Sequence, residues 1–231
     1  MNRTPTTEGP YTIRLYYSDD EIEEICSNAL AETGYLPSQP QPILIDRFIE
    51  KKFNIEQIIC KPLPPGCLGY TKFGPAGVEQ VYIAPYDEDS TLSLQEHRRI
   101  NSTLAHEAGH GLFHTELHVG GFVREVSSKE HSHVRPDRIL CRTESPTSRP
   151  KQQYSGEWWE FQANSAIGAL LMPKQLFLQF MEPFLKYDGV PTIDQLSSKV
   201  QRLAIKKAAE VFDVNEEVAR IRIEQESQIP F

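Results

Sequence analysis

The sequence has few of the features that stabilise a chain without a large core. Only four cysteines occur in 231 residues, and none of them forms a C-x-x-C pair. A disulfide framework is thereby excluded, and the pattern indicates reduced, mostly buried thiols rather than a thiolate metal site. Apolar runs of about 18 residues, the length that a membrane span requires, are also missing. Because the N-terminal segment has no apolar stretch typical of a secretory signal, we expect a cytoplasmic protein.

Positive charge is also scarce. The chain carries 24 Lys and Arg against 32 Asp and Glu, which gives a formal net charge of −8. Proteins that bind phosphates or anionic membranes without specificity are normally basic, so this balance argues against direct nucleic-acid binding and against membrane binding. The hydrophobic fraction of 39%, with 11 Phe, 9 Tyr and 2 Trp, is typical of a folded protein with a full core.

Histidine is distributed unevenly along the chain. Six of the seven histidines lie between His106 and His133. The first two belong to the segment HEAGH, on a predicted helix that opens with the capping box SLQE and runs to about His114. Residues four apart share one face of a helix, so His106 and His110 can direct ring nitrogens at one ion. The H-E-x-x-H spacing therefore predicts a zinc site.

Glu107 flanks the same side of this helix. Its carboxylate can act as a general base toward water, while zinc lowers the pKa of bound water to about 7 and polarises a carbonyl. This combination is typical of zinc-dependent hydrolysis of a peptide bond. Gly109 costs the helix about 1 kcal/mol relative to alanine. A glycine at this position favours close approach of another element over the site.

A catalytic zinc ion needs a third protein ligand and an open position. Glu160 is the preferred candidate, because an unpaired carboxylate among the aromatic and small residues of a predicted helix would be costly. Glu157, at the start of the same helix, is the alternative. Asn164, one turn after Glu160, can hydrogen-bond to a ligand and orient it. His114 is expected either to do the same or to pack in the core.

Other residues stay open as minor candidates. His118, His131 and His133 can supply a ligand or a transition-state donor, although solvated histidines are expected in and near a loop. An oxyanion formed during hydrolysis also needs a hydrogen-bond donor. Tyr154, His133 and Tyr70 are candidates for this donor, and the sequence does not rank them.

The remaining pattern predicts a mixed fold. A capping box at Ser18 opens a first helix, and a second helix carries Phe48 and Ile49. Short strands follow in IEQIIC, CLGYTKF and VEQVYIAP, the last two joined as a hairpin by a four-residue Gly/Pro turn. We therefore expect an α+β fold in which a small mixed sheet lies beside a pair of active-site helices.

Three regions are predicted along the chain. Residues 1–17 form an N-terminal tail that runs into a short strand, residues 18–187 a catalytic domain, and residues 188–231 a helical extension. Inside the domain, residues 119–155 are expected to form a long insertion loop without regular structure.

The extension has the rhythm of a helix-turn-helix. Thr192 caps a predicted basic helix and Asn215 caps the last helix. Between Lys199 and Glu226, six positive and six negative charges cancel, which favours a packing role over DNA binding. These residues are Lys199, Arg202, Lys206, Lys207, Arg220 and Arg222, and Glu210, Asp213, Glu216, Glu217, Glu224 and Glu226.

The motifs of residues 18–180 resemble a known family. STLAHEAGHGLFH, ILCR and EWWEFQANSAIGALLMP are similar to the ImmA/IrrE family of cytoplasmic zinc-dependent peptidases, which pair an H-E-x-x-H helix with a later E-x-x-A-N helix ending in L-L-M-P. The resemblance implies a zincin-like metallopeptidase domain, with zinc held by His106, His110 and Glu160 and with Glu107 as general base. Members cleave or inactivate a helix-turn-helix repressor, so the resemblance also implies a protein substrate of that kind.

The chain departs from the family in two places. One is the long insertion, and the other is Ser165-Ala166-Ile167, where relatives often carry an aromatic residue and alanine. The insertion can reshape the substrate cleft, so the substrate is the family property that is least safely assigned to this chain. A second class of function stays open, namely a non-catalytic regulatory protein in which zinc stiffens a domain that sequesters a repressor or toxin. A metal-free relic of a peptidase is a third. The sequence does not indicate the oligomeric state.

Overall fold

The computed structural model describes residues 1–85, 93–124, 134–142 and 157–227. Within these ranges the chain forms seven α-helices around a five-stranded mixed sheet, with a separate two-stranded hairpin. This is the α+β architecture with a small mixed sheet that the sequence predicts. Among the described residues, no helix combines the length and the apolar character that a membrane crossing requires.

The elements follow one another in mixed order along the chain. The helices are α1 (Asp19–Thr33), α2 (Ile45–Phe53), α3 (Leu94–Val119), α4 (Trp158–Leu171), α5 (Lys174–Asp188), α6 (Ser198–Val211) and α7 (Glu216–Glu226). The strands are β1 (Asn2–Pro5), β2 (Ile13–Tyr16), β3 (Ile59–Cys60), β4 (Cys67–Gly74), β5 (Gly77–Ile83), β6 (Val134–Arg135) and β7 (Arg138–Arg142).

The five-stranded sheet has the order β3-β5-β4-β7-β6. Its centre is the predicted hairpin, in which β4 and β5 pair antiparallel and Gly74 faces Gly77 across a tight turn. β7 pairs antiparallel with the other side of β4, and β3 lies parallel to β5. Both edge strands are only two residues long.

Helix α3 lies between this sheet and α4. It begins at the predicted capping box, in which Ser93 and Glu96 each accept a hydrogen bond from the other's backbone N–H. It extends to Val119, past the end expected near His114. At Gly109, an added Cβ would lie 2.7 Å from the Cβ of Ala166 and 3.0 Å from the Cα of Ala163. The predicted close approach is therefore that of α4, and glycine is needed for it.

Two hydrophobic clusters stabilise the described part of the chain. The larger one joins α1 and α2 to α4, α5, α6 and α7, and it includes Phe48, Leu170, Phe177 and Phe212. Because the extension contributes to this cluster, it packs as part of the same body. The smaller cluster surrounds Tyr11 and includes residues of β2, β4, α3 and α4.

Several elements differ from the sequence prediction. Residues 119–155 were expected to be structureless, but they contain β6 and β7. The sequence did not predict β7 because this strand is short and its pairing partner, β4, is distant in sequence. Residues 1–17 are more ordered than a tail, since β1 pairs with β2 and Tyr11 is fully buried. Thr192 precedes a short 3-10 helix, and α6 begins after Ser197 instead.

Replacing Gly109 by alanine tests the crossing of α3 and α4. The added methyl group has no room against Ala166, so we expect G109A to lower the free energy of unfolding by about 1–3 kcal/mol. Urea denaturation measures this change. Gly168→Ala on α4 is the matched control, since its Cβ would meet nothing closer than 3.4 Å and the helix gains up to about 1 kcal/mol. A G109A protein as stable as the G168A control would contradict the packing described here.

Candidate metal centre

Two histidines of α3 and one glutamate of α4 converge in the interior. The Nε2 atoms of His106 and His110 are 3.0 Å apart. The carboxylate of Glu160 lies against both rings, with Oε2 at 3.2 Å from the Nε2 of His106 and Oε1 at 3.6 Å from the Nε2 of His110. All three side chains are buried. The structure thus brings together the three residues that the sequence analysis selected as metal ligands.

The spacing of these atoms suits one shared ion. Two ligands that bind a tetrahedral ion through bonds of about 2.0–2.1 Å lie about 3.3 Å apart. The three observed separations, 3.0, 3.2 and 3.6 Å, bracket this value. His106, His110 and Glu160 could therefore hold a metal ion.

A chain of hydrogen bonds defines which nitrogen of His110 faces this space. The amide nitrogen of Gln162 donates to the backbone oxygen of Leu15 at 2.9 Å, which leaves its amide oxygen facing the Nε2 of His114, also at 2.9 Å. Burial lowers the pKa of His114 to about 3, so its ring is neutral and its Nδ1 is an acceptor. The Nδ1 of His110, 3.0 Å away, must then donate to it. The lone pair of His110 is consequently on Nε2, where a metal would bind.

His106 is oriented in a similar way by Asn164. The amide oxygen of Asn164 lies 3.0 Å from Nδ1 of His106, which directs Nε2 toward His110 and Glu160. Although burial disfavours a charged ring, Cys141 and Glu160 raise the pKa of His106 well above its usual value. The surroundings therefore favour a positive charge here, and a bound ion would replace the proton.

Glu160 shows the strongest need for a cation. Neither of its carboxylate oxygens accepts a well-aligned hydrogen bond from the described residues, and both atoms are buried. A buried carboxylate without such partners is costly, and a metal ion would neutralise it. Tyr11, whose pKa burial raises and Glu160 raises further, adds no compensating charge.

Glu107 lies beside the three converging residues, and only one of its two carboxylate oxygens accepts a side-chain hydrogen bond from the described residues. Its Oε2 accepts a hydrogen bond of 2.7 Å from the hydroxyl of Thr71 on β4. Its Oε1 is buried and has no hydrogen-bond partner among the described residues. Burial raises the pKa of Glu107 to about 8, against the lowering effects of His106 and of the Thr71 hydrogen bond. Such a carboxylate is a stronger base than an exposed one.

Sequence reasoning missed several residues at this centre. Cys141 was interpreted as an ordinary buried thiol, yet its sulfur lies within 4.8 Å of ligand atoms of His106 and Glu107. The available signal was its place in ILCR, between two motifs of the site. Gln162 was also missed, although a glutamine between Phe161 and Ala163 in an apolar helix is unusual. Thr71 carried no local signal, because only the sheet brings it to α3.

The remaining candidates are placed away from the converging side chains or outside the described residues. Glu157 precedes α4 as its cap residue and belongs to neither group of described residues that could hold a metal. His118 stacks on Phe73 and contacts the backbone oxygen of Pro136, which indicates a packing role. His131, His133 and Tyr154 lie outside the described residues.

Tyr70, a candidate oxyanion donor, is on the wrong face of the sheet. Its neighbour Thr71 points toward α3, and successive side chains of a strand point to opposite faces. The ring of Tyr70 stacks on Tyr82 instead, with centroids 4.3 Å apart. Tyr70 is therefore not available as a donor to the candidate centre.

No protein-family model matches this chain, and no curated protein matches it either. The chemistry of the site itself must therefore indicate the function. Two oriented imidazoles, one buried carboxylate without a hydrogen-bond partner among the described residues and one adjacent base form a set of groups suited to metal-assisted hydrolysis.

Removing one imidazole tests the metal centre. We expect the wild-type protein to bind about one divalent metal ion per chain and His106→Ala to lose it, because two protein ligands hold such an ion poorly. Elemental analysis after dialysis measures the metal content. His97→Ala is the control, since His97 is a half-exposed residue of the same helix. Equal metal content in the two variants would exclude the centre described here.

Replacing Gln162 by leucine tests the orientation of His110. Leucine fills similar space but leaves the Nε2 of His114 without its acceptor, so His110 loses the partner that defines its tautomer. We expect Q162L to weaken metal binding by about 10–100-fold, measured by competition with a chelator. Ser165→Ala, a change of a partly exposed residue on the same helix, should leave the affinity unaltered. Unchanged affinity in Q162L would show that the hydrogen-bonded chain does not orient the ligand.

Proposed function

We propose that this protein is a zinc-dependent peptidase that hydrolyses a peptide bond in a cytoplasmic regulatory protein. The observation that carries the proposal is the convergence of His106, His110 and Glu160, with separations of 3.0–3.6 Å, beside the open carboxylate oxygen of Glu107. Two imidazoles and one carboxylate are a donor set typical of catalytic zinc, and they leave a fourth position for water or substrate.

The fold proposed for this centre is zincin-like, and the family proposed is ImmA/IrrE. The α+β architecture supports both, because the H-E-x-x-H helix lies between a small mixed sheet and the helix that carries Glu160. The motifs of α3 and α4 that resemble this family contain all of the converging ligands. Cytoplasmic location is part of the same proposal.

In the proposed hydrolysis, Glu107 and Thr71 have separate roles beside the metal ion. When bound, zinc supplies a Lewis acid that makes water more acidic and polarises the carbonyl of a peptide. Glu107 accepts the proton of the attacking water on Oε1 and transfers it to the nitrogen of the leaving amine. Thr71 holds the other carboxylate oxygen, so that Oε1 stays directed into the site. Burial around Glu107 excludes competing water and favours its action as a base.

The proposed substrate is a helix-turn-helix repressor. This assignment rests on the resemblance of the α3 and α4 motifs to the regulatory peptidases. A net charge of −8 suits association with a basic DNA-binding protein. Direct binding of nucleic acid by this chain is not proposed, because residues of α6 and α7 such as Ala204, Ala208 and Ile223 are buried in the larger cluster.

Replacing Glu107 by glutamine separates cleavage from binding. We expect E107Q to keep its fold and its zinc and to lose about 10²–10⁴-fold in cleavage rate, because the general base is gone. The assay incubates the protein with a purified helix-turn-helix repressor, with and without chelator, and detects fragments by mass spectrometry. Glu116→Gln, a change of an exposed carboxylate on the same helix, should cleave like the wild type.

The same assay distinguishes a peptidase from the alternative function, a non-catalytic protein that sequesters the repressor. If E107Q inactivates the repressor as well as the wild type does and no fragments form, the peptidase proposal fails and sequestration replaces it. If chelation stops fragment formation, the metal requirement is supported.

A further inference from the structure

Cys141 is the one cysteine among the described residues that reaches the candidate metal centre. Its sulfur, a ring nitrogen of His106 and a carboxylate oxygen of Glu107 all lie within 4.8 Å of one another. Cys141 is buried, but it belongs to neither hydrophobic cluster of the described residues. Cys26, by contrast, belongs to the larger cluster. The two thiols therefore have different surroundings, and those of Cys141 are polar.

The pairing of β4 with β7 directs Cys141 toward α3. Cys141 lies directly opposite Gly69, and residues directly opposite in an antiparallel pair project from the same face. A Cβ at Gly69 would lie 3.0 Å from the Cγ2 of Thr103 and 3.1 Å from the Oε1 of Glu107, so this face is the one that packs on α3. The backbone register thus orients the thiol toward the centre, and the missing side chain at Gly69 leaves space beside it.

A second observation at the same place points to a ligand. The Oε1 of Glu107 and both carboxylate oxygens of Glu160 are buried without a hydrogen-bond partner among the described residues. Two groups of side chains could hold a metal ion, and both contain His106. Glu107 and Cys141 complete one group, and His110 and Glu160 complete the other. A cation bound at His106 would lie next to both groups.

We infer that the sulfur of Cys141 is the fourth ligand of the metal ion in a resting form of the centre. This inference rests on the proposed zinc site. Zinc sites with four protein ligands are closed, whereas catalytic sites keep one position for water. With His106, His110 and Glu160 as three ligands, the thiolate occupies the position that water needs. The resting centre is therefore inactive, and release of the sulfur opens it.

The sulfur is already close to ligand distance from His106, and it must also approach His110 and Glu160, with which it shares no group of ligand atoms within 4.8 Å. A thiolate and an imidazole that share a zinc ion lie about 3.5 Å apart, given bonds of about 2.3 and 2.0–2.1 Å. From a separation of at most 4.8 Å, the sulfur must approach His106 by about 1.3 Å or less. On ligation the S–H bond breaks, its proton leaves to solvent, and the sulfur donates an electron pair to the ion. The step requires no oxidant or reductant.

Cobalt substitution tests the inference without measuring activity. The purified full-length chain, reduced and freed of metal, is titrated with Co²⁺. We expect visible bands of tetrahedral Co²⁺ at one equivalent, together with an intense near-ultraviolet band from thiolate-to-cobalt charge transfer. Cys141→Ser should keep the visible bands and lose the charge-transfer band. Its affinity for the ion should fall about 10-fold or more, as for changes that disturb a ligand.

Cys67→Ser is the matched control, because Cys67 is a buried cysteine on the neighbouring strand β4. It should keep both sets of bands. Visible bands in the wild type without a charge-transfer band would overturn the inference and leave the proposed zinc site intact. A charge-transfer band that persists in Cys141→Ser would also overturn it. Absence of any cobalt bands in the wild type would overturn the zinc site and, with it, the role of Cys141.

Discussion

Helices α3 and α4 cross where Gly109 lies against the Cβ of Ala166 and the backbone of Ala163, and the candidate metal centre depends on this contact. The absence of a Cβ at Gly109 allows the backbone of Ala163 to lie against α3. His110, the next residue of α3, and Glu160, one turn before Ala163 on α4, then come within reach of one another. A larger residue at the crossing would separate the carboxylate from the imidazoles, since helices whose side chains meet pack about 8–10 Å apart.

The crossing also connects distant parts of the chain to one metal ligand. Gln162 of α4 links the backbone of β2 to His114, and His114 in turn orients His110. The N-terminal hairpin is thus part of the support of the site, although it contains no ligand. Such outer hydrogen bonds position ligands before an ion binds, which reduces the entropy that binding costs.

Prediction from the sequence succeeded where the signal is local. The capping boxes at Ser18 and Ser93 marked the starts of α1 and α3 because a cap and its partner are three residues apart. The turn between β4 and β5 was equally local. β7 was missed because its pairing partner is far away in sequence, and α6 starts later than Thr192 because the chain first forms a 3-10 helix.

The sequence by itself determined the pair of imidazoles and the adjacent base, because the geometry of a single helix fixes how residues 106, 107 and 110 are related. It also indicated Glu160, since a carboxylate in an apolar helix needs compensation. Only the tertiary structure decided that Glu160 meets both rings, that Thr71 holds Glu107 and that Cys141 faces the centre. These contacts join separate elements, and the distance between such elements depends on packing across the whole core rather than on any local spacing.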